Sequence, residues 1–268
     1  MPTPPVTGPL CTRDTLADDL RTLGVRPGET LLVHSSLKSL GWVCGGAVTV
    51  VGSLLDTLGE TGTLVVPAFS NDNSDPAHWG RPAVPEEWWE PIRAALPAYD
   101  PPITPSRGVG VVPEAVRTWP GALRSAHPQT SFAAIGPGAS RITAGHARDC
   151  RLGERSPLAR LEEAGARVLL LGAGFDSCTS FHLAEYRVPG PMADVSFAVN
   201  TPEGGRQWLT VRDVDLDSEG FGELGADFER DTNVVRGTVG AAVCRLFPVR
   251  DAVAYARRWL PVHRPGEE

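Results

Sequence analysis

The sequence predicts an α/β fold built as one compact unit, and three observations carry the prediction. Thr30 to Phe69 runs strand, glycine-containing loop, helix, strand, which is a βαβ unit and implies a parallel pair with a right-handed crossover. Val168 to Leu171 is a short apolar run that stops at Gly172, as a buried strand opening onto a loop does. The length of 268 residues, with 41% hydrophobic and 21% charged residues, suits a soluble globular protein with one full core.

Taken in order, the first helix is expected at Arg13 to Leu23, where Leu16, Leu20 and Leu23 recur at helical spacing. Thr12 or Asp14 supplies its cap, and Gly24 stops it. Residues 1–12 are expected to be a flexible N-terminus to a single domain spanning 1–268. Thr30 to His34 is a strand, Val48 to Leu58 an amphipathic helix closed by Gly59, and Thr63 to Phe69 the next strand. Residues 71–106 hold many Pro and Trp with little periodicity and read either as a functional loop or as a packed insertion. Val109 to Thr118 reads as a helix, Ser131 to Ile135 as a strand, and Leu158 to Ala164 as a helix feeding the strand at Val168. Val195 to Val199 and Gln207 to Val211 resemble an antiparallel pair that turns through Pro202-Glu203-Gly204-Gly205. Arg236 to Leu246 and Val249 to Trp259 are expected as closing helices.

No apolar run reaches the roughly 18 residues of a membrane span, and Met1 to Leu10 has no charged-then-apolar signal, so a cytoplasmic location is the default. Five cysteines without a C-x-x-C pair argue against a disulfide framework and a structural zinc site. Cys44, Cys150, Cys178 and Cys244 are expected to be small buried apolar residues. Acidic residues exceed basic ones by 32 to 25, a formal charge of −7, which disfavours nucleic acid and favours a cationic partner. Asp213, Asp215, Asp217, Glu219, Glu223, Asp227, Glu229 and Asp231 concentrate that charge, either as a solvated surface or as a binding stretch.

The chemistry gathers after the strand at Val168. Asp176, Ser177, Thr179 and Ser180 are all N-cap residue types for a short helix on which His182 and Glu185, three residues apart, would share a face. A carboxylate beside an imidazole fixes its tautomer and stabilises the imidazolium, as a general base requires; a surface helix pair is the plainer reading. Two loops offer backbone N–H groups to an anion. Residues 33–47, with Gly45-Gly46, join a strand to a helix without matching a dinucleotide or P-loop spacing, and a simple tight connection would look the same. Thr104-Pro105-Ser106-Arg107-Gly108-Val109-Gly110 opens another helix and carries an arginine that can grip a phosphate. His127 and His146 read as satisfied structural histidines or as site residues, His34 as held by backbone, and His78 and His263 as exposed.

Val33-His34-Ser35-Ser36-Leu37-Lys38-Ser39-Leu40-Gly41 with Gly45-Gly46-Ala47, His127 to Ala134, Ser156-Pro157-Leu158, and Leu171 to Gly174 through His182-Leu183-Ala184-Glu185-Tyr186 occur in that order. On these motifs the chain resembles the aminoglycoside 3-N-acetyltransferases from about Asp14 to Arg250. The resemblance implies the α/β fold of the antibiotic N-acetyltransferase type, a single compact domain distinct from the common GNAT fold. It implies acetyl-CoA as co-substrate, no metal, a polycationic aminoglycoside as acceptor and resistance as the outcome, with a homodimer left open. Carried over by residue, it implies that Ser35, Ser36, Leu37, Gly45 and Gly46 line the pantetheine and pyrophosphate, and that Thr104, Ser106 and Arg107 hold the nucleotide. His182 would be the base, Glu185 its orienting partner, Asp176 a nearby acid and Thr179 the donor to the developing oxyanion. Cys178 stands where Asn is expected beside that Thr. Asp72, Asp75, Glu223, Asp227 and Glu229 are the candidates to meet ammonium groups. Four rivals remain at this stage: acetylation of a different amine, a metal hydrolase using His182, Asp176, Glu185 and His127, an acyl-cysteine route through Cys178, and a non-catalytic module that sequesters a cation.

Overall fold

Leu31-Leu32-Val33 and Val168-Leu169-Leu170-Leu171 lie side by side as buried parallel strands, and the candidate site grows from their carboxyl ends. The computed structural model describes residues 8–80 and 82–264. In chain order the elements are β1 (Leu10–Cys11), α1 (Arg13–Leu23), β2 (Thr30–Ser35), β3 (Trp42–Val43), α2 (Gly46–Leu58), β4 (Thr63–Pro67), α3 (Trp89–Ala95), α4 (Val111–Arg117), β5 (Leu123–Arg124) and β6 (Phe132–Ile135). There follow α5 (Ala139–Thr143), α6 (Pro157–Glu163), β7 (Arg167–Leu171), α7 (Ser180–Glu185), β8 (Met192–Asn200), β9 (Arg206–Val214), α8 (Phe221–Asp231), β10 (Val235–Val239), β11 (Ala242–Pro248) and α9 (Val249–His263).

The main sheet runs β10-β11-β7-β2-β4-β6-β5. Its centre, β7, β2 and β4, is parallel, and antiparallel strands flank it on both sides. The expected βαβ unit is present as β2, α2 and β4, with Leu31 opposite Leu64. Because successive side chains of a strand face opposite ways, Leu31 and Val33 pack with α1, α2 and α4, while Leu32 packs with α5 to α9. The chain thus leaves β2 toward one face, through α2, and leaves the adjacent β7 toward the other, through α7. Such a divergence of parallel neighbours opens a crevice at their carboxyl ends.

Several expectations hold in detail. Thr12 caps α1 in a reciprocal box with Thr15, and Gly24 closes the helix at φ +102°. The expected antiparallel pair is a nine-residue hairpin, β8–β9, from Met192 opposite Val214 to Asn200 opposite Arg206. Segment 71–106 is the packed insertion. The side-chain amide of Asn73 donates to the Ala198 carbonyl at 3.0 Å and accepts from the Ala198 amide at 2.9 Å, which ties the segment to the hairpin, and the Tyr99 hydroxyl donates to the Ser125 carbonyl at 2.8 Å, which ties it to the chain after β5.

Others need correction. Arg236 to Leu246 is the hairpin β10–β11 rather than a helix. Ala242, Cys244 and Leu246 are buried while Val243 is exposed, a period of two, and Gly240 turns the chain at φ +56°. The acidic stretch conceals α8, whose Phe221, Leu224 and Phe228 are buried at helical spacing. Cys44 is exposed, whereas Cys150, Cys178 and Cys244 are buried. Of the expected flexible N-terminus, residues 1–7 lie outside the described residues, and residues 10–12 are tied down by the β1–β3 pairing and the Thr12 cap. Among the described residues no helix is long and apolar enough to cross a membrane.

Candidate active site

After β7 the chain turns sharply at Gly172, φ +67°, where a Cβ would lie 2.7 Å from that of Ser39 and 2.9 Å from that of Ala242. Only glycine fits there, and the turn aims the next ten residues over the crevice. A 3₁₀ turn at Phe175–Ser177 leads into α7, whose six residues put His182 and Glu185 on one face as the spacing requires. His182 Nδ1 donates to Glu185 Oε2 at 2.6 Å, which in the neutral ring puts the lone pair on Nε2, and His182 lines a cavity of about 660 Å³. Glu185 is 7% exposed, which separates this pair from an ordinary surface ion pair. Phe221, brought by α8, backs the imidazole at 4.8 Å between ring centres.

Three segments wall the cavity: Ser35 to Lys38 after β2, Gly108 to Pro113 at the start of α4, and Asp176 to Thr179 before α7. Ser35 Oγ is buried there without a hydrogen-bond partner, a polar atom in place for a ligand. Ser36 Oγ accepts from Ser39 Oγ at 2.9 Å. Lys38, the chain's only lysine, is exposed and is the one Lys or Arg among the described residues lining this cavity.

His34, expected to be held by backbone, instead meets the Thr179 hydroxyl through Nε2 at 3.3 Å. Burial pushes His34 down to about 3, with the charge of His182 adding to it, so the ring is neutral at ordinary pH. The Thr179 hydroxyl makes no helix-capping bond, which leaves it to His34 and the cavity. The signal was present in the sequence: a histidine as the penultimate residue of a central parallel strand sits beside the mouth of the crevice.

The other residues singled out from sequence separate into two groups. Asp176 lines the cavity. Gly45 and Gly46 do not: they turn the chain into α2 at φ +82° and +61°. Thr104 Oγ1 accepts from the Asp100 amide, and Ser106 donates from both its amide and its hydroxyl to Glu114. Burial raises the Glu114 carboxyl, but Arg117 and Ser106 outweigh it and hold it down at about 2. Arg107 pairs with Asp72 at 3.2 Å on the surface. Of the loop expected at 104–110, residues 108–110 line the cavity together with Val111 to Pro113 of α4, while Thr104, Ser106 and Arg107 do not line it. Asp75 caps a 3₁₀ turn through the Ala77 amide and pairs with Arg93 at 2.7 Å. Asp227 is bonded to Arg230 and Trp259, Glu229 to Arg245, and Glu223 is exposed on the first turn of α8; none of the three lines the cavity. The carboxylates that approach it are Asp75 and two others. A second cavity of about 500 Å³ shares Asn71 with the first and is lined by Asp75, Asp194 and Asp215.

Two rivals lose their residues. His127 Nδ1 accepts from the Gln129 and Thr130 amides and Nε2 donates to the Arg148 carbonyl, so both ring nitrogens are occupied and the ring has no free ligand position. His146 is likewise structural, between Ser125 and the Arg151 carbonyl. Burial pushes the Cys178 thiol up to about 11, which keeps it a thiol at neutral pH.

Comparison with known proteins shows the family. Residues 32–261 match the family model described as aminoglycoside 3-N-acetyltransferase. An aminoglycoside N(3')-acetyltransferase-like protein, YokD, of Bacillus subtilis is 46% identical over 250 residues, 93% of this chain and 92% of the relative. Its crystal structure superposes with a TM-score of 0.94, at 43% identity over 98% of this chain and 97% of that one. Aminoglycoside N(3)-acetyltransferase VII of Streptomyces paromomycinus is 39% identical, covering 94% of this chain and 92% of its own. Two further solved structures, each 33% identical, are AAC-IIIb with CoASH (TM-score 0.83, 97% of this chain, 100% of that one) and AAC-VIa with sisomicin (0.84, 96% and 100%).

Proposed function

Because the chain belongs to the aminoglycoside 3-N-acetyltransferase family, we propose that it moves an acetyl group from acetyl-CoA to the 3-amino group of a 2-deoxystreptamine aminoglycoside and so confers resistance. The observation that carries this reading is the His182–Glu185 pair, bonded at 2.6 Å with Nε2 left to the cavity. Both substrates bind together. As the acceptor nitrogen attacks the thioester carbon, His182 Nε2 takes a proton from it, and Glu185 steadies the imidazolium that forms. The Thr179 hydroxyl, accepting from or donating to His34, turns its hydrogen toward the carbonyl oxygen when His34 presents Nε2–H, and so stabilises the oxyanion. The C–N bond forms, the C–S bond breaks, and the thiolate leaves with the proton from His182. Ser35, Ser36 and Leu37 line the pantetheine arm. Asp194 and Asp215, on the side cavity that opens at Asn71, meet the ammonium groups of the acceptor with Asp75. Thiol release from acetyl-CoA with a panel of deoxystreptamine aminoglycosides tests the reading: turnover supports it, and silence with all of them sends the acceptor search to other amines.

Lys38, the one Lys or Arg among the described residues lining the cavity, is assigned to a phosphate of the donor. Lys38→Met is expected to raise KM for acetyl-CoA by about ten-fold or more, the loss of one charge-assisted hydrogen bond, while leaving KM for acetyl-pantetheine within about two-fold. An equal rise for both donors removes the assignment.

Direct transfer also requires that no acyl-enzyme form. Cys178→Ala is therefore expected to retain turnover within about three-fold and to keep intersecting double-reciprocal lines. Parallel lines in the wild type, abolished with activity in the variant, would place the acetyl group on the thiol.

A further inference from the structure

Glu185 has two carboxylate oxygens, and only one meets His182. Oε2 accepts from His182 Nδ1; Oε1 accepts from an Arg264 guanidinium nitrogen at 2.8 Å and from the Asp217 amide at 3.3 Å. Arg264 follows the last residue of α9, 79 residues beyond the glutamate it grips, and α9 packs directly on α7. Its second terminal nitrogen donates to the carbonyls of Asp217, at 2.9 Å, and Glu219. Its guanidinium carbon lies 5.3 Å over the centre of the Phe221 ring, the same ring that backs the imidazole of His182. One guanidinium thus touches the carboxylate, the 217–219 loop and the aromatic wall of the base.

This arrangement answers a mechanical need. A six-residue helix is too short to be rigid by itself, and a glutamate has three freely rotating side-chain torsions. Giving each oxygen a different partner on a different element selects one rotamer and aims Oε2 at Nδ1, which in turn leaves Nε2 facing the cavity. A planar fork with several donors does this where a single ammonium would pivot. Without Arg264, Oε1 would keep only the long amide contact in a side chain that is almost wholly buried.

We propose that Arg264 is a positioning residue: the C-terminal end of α9 latches Glu185 so that the acid–base pair is held in register. The inference rests on the reading of His182 as the base. Arg264→Met keeps the apolar stem against Phe221 and removes the donors; Arg264→Lys keeps the charge. Arg264→Met is expected to lower kcat by about 10- to 100-fold with KM for both substrates within about two-fold, the pattern of lost orientation rather than lost binding. Guanidinium ion added at millimolar concentration restores part of kcat, and Arg264→Lys lies between the two. A second readout needs no turnover. The downfield Hδ1 signal of His182 in protein labelled with ¹⁵N-histidine broadens or moves upfield in Arg264→Met and returns with guanidinium. If the wild type acetylates nothing, the catalytic reading fails but this signal still reports on the latch. An unmoved signal with unchanged kcat overturns the proposal. So does a loss that tracks a fall in melting temperature and ignores guanidinium, since Arg264 would then only secure the end of α9.

Discussion

Replacing His182 with alanine is expected to lower kcat for acetyl transfer by about 10²- to 10⁴-fold, the span that a positioned general base contributes, with KM for acetyl-CoA little changed. The argument is geometric. Glu185 occupies Nδ1 at 2.6 Å, so the ring meets the cavity with its unprotonated nitrogen, and His34, the other imidazole beside the crevice, is engaged by Thr179 and held by burial at about 3. His34 is therefore too weak a base to take over. Glu185→Gln should fall short of the alanine loss, because the amide oxygen can still accept from Nδ1 while the charge that steadies the imidazolium is gone. Thiol release measured on both folded variants checks the order. Turnover retained in His182→Ala would move the base elsewhere in the cavity, with Asp176 the next candidate.

How much of this was legible in the sequence follows from the range of the interactions involved. The βαβ unit, the α1 cap and the β8–β9 hairpin rest on local signals: a glycine stop, a threonine cap, alternation about a turn. They were readable from a few residues each. The His182–Glu185 pair is also local, three residues apart on one helix, and spacing alone found it. The cavity wall was half legible. Residues 35–37 lie directly at a strand end, but within the loop 104–110 only the second half lines the cavity, because Glu114 draws Ser106 back onto α4 and leaves the glycines that follow to form the wall. The pairing of the acidic candidates was illegible for a related reason. Composition counts charges, whereas Asp75, Asp227 and Glu229 are bound to Arg93, Arg230 and Arg245 by contacts that only the tertiary fold creates. The β10–β11 hairpin reads as a helix in sequence because its valines and alanines fit either period; its pairing with β7 supplies the deciding context. Arg264 and His34 act across 79 and 145 residues, beyond any sequence window.

Asp213→Ala is expected to cost about 3–5 kcal/mol of stability, the range for removing one partner from a buried ionic network. Asp213 is 2% exposed. Its Oδ2 accepts from the Arg151 amide at 2.9 Å and the Arg151 side chain at 3.2 Å, its Oδ1 from the Val214 amide at 2.8 Å, and both oxygens lie within 2.9 Å of the Tyr186 hydroxyl. Alanine would leave a guanidinium, a phenol and two amides without their acceptor in one place. Burial, and then the charge of Asp213, hold the Tyr186 phenol protonated far above its usual range, so it cannot compensate by ionising. Asp213→Asn retains an acceptor oxygen and should lose less. The site shares in this cost, because Tyr186 is the residue after Glu185: the Asp213–Tyr186 bond ties the β8–β9 hairpin to the end of α7, and the hairpin carries Asp194 toward the side cavity. Urea unfolding followed by tryptophan fluorescence should show the midpoint of Asp213→Ala falling with an unchanged slope. A loss below about 1 kcal/mol would mean that water replaces the carboxylate at no great penalty. The hairpin would then be anchored by the Asn73 bonds to Ala198 instead.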